Sequence, residues 1–193
     1  MPSRALQEWR TTQRAEPDRL ETAAGRLGMP DRALRQQLVD AYIVLLAAHF
    51  QRYCRGLHDD VSAIAMDRVR PASLSIVLDA LLHERRHLDR GNASASALAA
   101  DFRRLGMNVW EELIRRDGRN GQRQRRLDQL NAWRNAIAHQ AFPLSAENAR
   151  RVAGTGRTLA WARLWRRDCS SLARQLDELA GLRLAELVER QPW

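Results

Sequence analysis

The chain has 193 residues, 45% of them hydrophobic, which is enough for one substantial core and short for two independent domains. Its net charge is +9 and all 32 of its basic residues are arginine, so a phosphate-loop lysine, a Schiff-base lysine and a serine–lysine dyad are excluded. The longest apolar run, residues 41–48, is far short of a membrane span and no apolar leader opens the chain, so a soluble, cytoplasmic protein is expected.

Residues 1–30 are polar, rich in Arg and Glu, and interrupted by Pro17; they form either a short packed helix or a loose arm. The main domain is read as 31–189. After Pro30, the three- and four-residue spacing of Leu34, Leu38, Ala41, Tyr42, Leu45, Leu46, His49, Phe50, Tyr53, Leu57, Val61 and Ile64 predicts one long helix. Pro71 marks a break, and a second helix is expected over 72–88, closed by Arg90-Gly91-Asn92. A third runs over 95–116 and ends in the turn-rich residues 117–121. A fourth covers 122–140, and after Pro143 and the glycine-containing residues 152–156 a last long helix covers 157–189. With no sustained two-residue alternation, the fold class is all-α, a bundle of four to five main helices. Cys54 and Cys169 stand at no zinc or redox spacing and are expected to be thiols.

Two constellations carry chemistry. His83-Glu84-Arg85-Arg86-His87 has the form in which two histidines one helical turn apart bind zinc and the glutamate activates water. Its two arginines would repel the cation and resist burial, so a zinc hydrolase built on His83, Glu84 and His87 is a remote reading beside a solvated charged helix face. Glu111 or Glu112 would have to supply the third ligand.

The second constellation is Arg134-Asn135-Ala136-Ile137-Ala138-His139, with asparagine directly after the arginine and small or aliphatic residues before the histidine. This segment resembles the signature of HEPN domains, with a looser likeness over residues 31–180 that leans toward the RiboL-PSP type. The resemblance implies a helical bundle that forms a two-fold homodimer and, in the catalytic branch, an endoribonuclease that cuts RNA without a metal or other cofactor. It further implies bacterial defence or a toxin–antitoxin setting, with tRNA or mRNA as substrate and an antitoxin or inhibitor protein as partner. Physically, such cleavage needs a group that moves a proton at the ribose 2′-hydroxyl or the leaving 5′-oxygen, and a fixed cation on the phosphate. His139 and Arg134 fit those roles, and Asn135, one turn before His139, fits orientation of the ring or a phosphate contact.

On a straight helix Arg134 and His139 diverge by about 140°, so two motif helices facing each other across a dimer axis would assemble the cleft better than one. Upstream, Arg115, Arg116, Arg119, Arg123, Arg125 and Arg126, with Trp110 and Trp133 as stacking surfaces, form a candidate basic funnel for RNA. A second reading is a non-catalytic helical module of the same type that binds RNA, a nucleotide or a protein partner. It rests on Gln51 and Gln140, where relatives commonly carry an acidic residue and a glycine.

Overall fold

The computed structural model describes residues 1–11, 13, 15–69, 72–188 and 192–193. Among them every regular element is helical: α1 (Arg4–Arg10), α2 (Ala15–Arg26), α3 (Arg32–Met66), α4 (Ala72–His83), α5 (His87–Arg90), α6 (Ala95–Arg103), α7 (Val109–Arg116), α8 (Asn120–Ala138), α9 (Ala146–Arg151) and α10 (Leu159–Val188). None of these helices is long and apolar enough to cross a membrane. The expected break at Pro71 and the end of the last helix at Glu189 lie outside the described residues.

The 35-residue α3 is the spine, about 50 Å long at 1.5 Å per residue, and α1, α2, α8 and α10 pack along it. Its buried stripe is Val39, Tyr42, Ile43, Leu46, Phe50, Tyr53, Cys54, Leu57 and Val61. That stripe is rotated slightly from the expected one, since Leu34 and Ala41 face solvent while Val39, Ile43 and Cys54 are buried. Across the core, α10 contributes Trp165, Cys169, Leu172, Leu176 and Leu179, and the buried Tyr53 hydroxyl donates to the Ala173 carbonyl at 2.6 Å. Both cysteines are free and buried, which pushes their thiols up out of the reactive range.

For residues 1–30 the packed alternative is the one adopted. Leu6 and Trp9 of α1 are buried, and the Trp9 ring meets Phe50 and Tyr53 of α3 at centroid distances of 5.8 and 5.9 Å. Two buried or half-buried carboxylates fasten the start of the chain: Asp177 accepts from the backbone N–H and the hydroxyl of Ser3, and Asp60 accepts from Ala5 N–H at 3.0 Å.

Two expected helices are divided. The 72–88 run breaks after His83, where Arg85 takes a left-handed φ of +54°, and resumes as the short α5. Asp101 explains the restart, because its carboxylate accepts from the first backbone N–H groups of α5, His87 at 3.0 Å and Leu88 at 2.8 Å. The 95–116 run breaks at Gly106, whose φ of +73° only glycine adopts without strain. Around α4, Leu74, Ile76, Val77 and Leu81 are exposed, and Leu82 is the helix's buried anchor among the described residues.

Candidate functional site

The six-residue motif lies at the C-terminal end of α8. Leu127, Leu130, Trp133 and Ala136 form the face that α8 turns to the core, which leaves Asn135 and His139 exposed and Arg134 half-buried at the edge. The helix is one residue shorter than His139: the histidine is the C-cap, and Gln140 follows at φ +50°. Gln140 N–H donates to the Ile137 carbonyl at 3.1 Å and Ala141 N–H to the Ala136 carbonyl at 2.9 Å. This paired pattern is the left-handed helix stop that favours glycine at the residue after the cap. Gln140 therefore carries a backbone strain that a glycine would not. Farther along, Arg157 stacks on the Phe142 ring at 4.3 Å and binds Asp40 at 2.7 Å, which ties the segment after His139 back to α3.

Arg134 has no carboxylate partner among the described residues. Its guanidinium donates to the side-chain carbonyl of Asn135 at 3.1 Å, and the same oxygen accepts from the Asn92 amide at 2.7 Å. Asn135 thus links the motif arginine to the segment between α5 and α6. That segment is fixed from three sides: Gln51 of α3 donates to the Leu88 and Gly91 carbonyls at 2.8 and 2.5 Å, Asn131 of α8 donates to Ala93 at 3.0 Å, and Trp110 of α7 donates to Ala95 at 2.7 Å. The His139 ring is exposed, and among the described residues no hydrogen bond restrains it.

Of the six arginines of the expected basic funnel, the four from Arg119 onward divide into two groups, while Arg115 and Arg116 are exposed at the end of α7. Arg119 and Arg123 both bind Asp117, at 3.0 and 2.8 Å, and Arg126 binds the buried Asp168 at 3.2 Å. These arginines fasten the start of α8 to the preceding turn and to α10. Arg125 alone of the four lines a groove beside Asn135. Trp110 and Trp133 are core residues, each 8% exposed, with their indole N–H groups committed to Ala95 and Thr155. The stacking surface expected of them does not form, because their rings complete the packing of α7 and α8 instead.

The zinc geometry that was the remote reading of His83-Glu84-Arg85-Arg86-His87 does not form, and the solvated charged face expected in its place forms only in part, since Glu84 and Arg85 are exposed while Arg86 is buried. His83 ends α4 and His87 begins α5, so the one-turn spacing that would aim two imidazoles at one ion is lost to the break at Arg85. His83 instead approaches His58 and Asp59 of α3, and ligand atoms of these three residues lie within 4.8 Å of one another. A cation already occupies that junction: the Arg86 guanidinium, 5% exposed, donates to Asp59 at 2.5 Å and to His58 Nδ1 at 3.2 Å, and also pairs with Asp89. Sequence reading missed this cluster because its members come from three elements. Burial, followed by the Arg86 charge, lowers the His58 pKa from 6.5 to about 4, so the ring is neutral and accepts from Arg86.

The chain matches no protein-family model, and comparison with curated proteins and with solved structures returns no match.

Proposed function

We propose that this protein is a metal-independent endoribonuclease of HEPN type that works as a homodimer. The observation that carries the reading is Arg134, an arginine with no carboxylate partner among the described residues, steadied by Asn135 near the end of the helix that presents His139, whose ring has no hydrogen bond among those residues. A guanidinium left free of a counter-ion is available to grip phosphate oxygens, and it remains charged throughout the reaction. His139 moves the proton at the ribose 2′-hydroxyl or the leaving 5′-oxygen, and Arg134 stabilises the charge that builds on the phosphate. The products are a 2′,3′-cyclic phosphate and a 5′-hydroxyl. Because the two side chains diverge around α8, a second copy that brings its own motif helix to the same cleft completes the site. Bacterial defence or a toxin–antitoxin pair is the setting that the motif's resemblance favours, with an antitoxin or inhibitor protein as regulator.

The test is incubation of total RNA and tRNA with wild type, Arg134→Ala and His139→Ala in excess EDTA, resolved on a denaturing gel. Cleavage by wild type alone is expected, with each variant slower by roughly 100-fold or more. Equal cleavage by all three proteins would end the proposal. RNA bound but uncut by wild type would favour the non-catalytic module.

A further inference from the structure

Beside the motif, α8, α9 and the α5–α6 segment enclose a groove of about 840 Å³, within the range of roughly 300–1,000 Å³ in which ligand clefts fall. One wall is a single face of α8, where Arg125, Gln129, Ala132 and Asn135 recur at three- and four-residue spacing; the others carry His87, Arg90 and Asn92 from the α5–α6 side and Asn148 and Arg151 from α9. Asp128 is the one carboxylate of the lining among the described residues, and it is engaged in accepting from Ala95 N–H at 2.9 Å. Arg151 shares its charge with Glu147 at 2.6 Å, whereas Arg90 and Arg125 have no carboxylate partner among the described residues. On α8 itself Arg125 contrasts with Arg123 and Arg126, which are drawn onto Asp117 of the preceding turn and Asp168 of α10.

We infer that this groove holds the sugar–phosphate backbone of an RNA strand, with Arg90 and Arg125 on successive phosphates, and leads it across Asn135 to Arg134. The inference rests on the ribonuclease reading above and moves the RNA track from Arg119, Arg123 and Arg126 to the opposite face of α8. Three features support it. The lining is cationic and amide-rich, as contacts to phosphate oxygens require. Among the described residues no phenylalanine, tyrosine or tryptophan lines it, so it grips the backbone and leaves the bases unread. The groove wall is built rather than loose, since Gln51, Asn131, Trp110 and Asp101 all hold the 87–95 segment in place, and the Asn92–Asn135 bond joins groove to motif.

The experiment uses the full chain and a short, fluorescently labelled, uncleavable 2′-O-methyl RNA, with affinity measured by anisotropy between about 50 and 200 mM salt. Wild type is compared with the Arg90→Ala/Arg125→Ala double variant and with Arg174→Ala, a surface arginine of α10 paired with Glu178. The double variant should bind at least roughly tenfold more weakly at low salt. Its logarithmic salt slope should fall by about 1.4, or about 0.7 for each single-strand phosphate that an arginine no longer neutralises. Arg174→Ala should match wild type. A double variant that binds like wild type would overturn the groove and leave the ribonuclease reading standing. A weakened double variant, alongside wild-type protein that binds RNA yet never cuts it, would support the groove and overturn the nuclease. No binding by wild type, or tighter binding of a polyglutamate peptide than of the RNA, would overturn the groove.

Discussion

At the N-terminal end of α8, Arg123 and Arg126 are drawn onto Asp117 and Asp168, whereas at its C-terminal end Arg134 is partnered by an amide, Asn135. The residue type is the same and its environment is opposite. A guanidinium held by carboxylates has its charge neutralised and its donors spent, so it serves as a strut between α8, the preceding turn and α10. A guanidinium held by a neutral amide keeps its charge and most of its donors for a ligand.

The largest effect expected along this divide is on chemistry. Arg134→Ala and His139→Ala should each cut RNA roughly 100-fold or more slowly than wild type, with thermal midpoints within a few degrees of it, because neither side chain belongs to the core. At the other end of α8, Asp168→Ala should do the reverse. Removing this buried carboxylate strands Arg126 and weakens the hold on Arg123, and should cost roughly 2 kcal/mol, seen as a midpoint lower by about 5 °C. Cleavage per folded molecule should be unchanged. If Asp168→Ala abolished cleavage in a folded protein, the division between the two ends would fail.

Of intermediate size is the pH response of the Arg86 junction. His58 is neutral in the folded state with a pKa near 4, against 6.5 when unfolded, so the unfolded chain binds the extra proton between those values. The stability that a neutral His58 supports is complete above about pH 6.5 and is lost as the pH falls toward 4. It should amount to no more than roughly 3.5 kcal/mol, since each pKa unit corresponds to about 1.4 kcal/mol. Urea midpoints at pH 7.5 and 5 should therefore differ more for wild type than for His58→Gln. Smaller still, Gln140→Gly should relieve the left-handed backbone and raise stability by up to about 1 kcal/mol without slowing cleavage. Arg119→Ala, which removes an exposed ion pair, should leave both the melting curve and cleavage as they are.

The legible part of this fold was its periodicity. The span of α3 and the all-helical class both follow from three- and four-residue spacing. The break at Arg85 was not legible, because α5 restarts on the carboxylate of Asp101, fourteen residues from His87, whereas the break at Gly106 is local, a left-handed glycine inside a run read as one helix. The same limit applies to the site. Arg134, Asn135 and His139 could be picked out as a segment, yet Asn92 reaches Asn135, and Arg90 and His87 share a groove with it, only because Gln51 and Asn131 hold the 87–95 segment in place. Likewise the carboxylates that claim Arg123 and Arg126 include one, Asp168, that lies about forty residues along the chain.

The measurement that tests the central claim most directly is wild-type cleavage, in excess EDTA, of an RNA oligonucleotide beside its fully 2′-O-methyl counterpart, with the product ends identified by mass. If His139 acts on the ribose 2′-hydroxyl, the RNA alone is cut and its fragments end in a 2′,3′-cyclic phosphate. Cleavage of both strands, or of neither, would contradict the account.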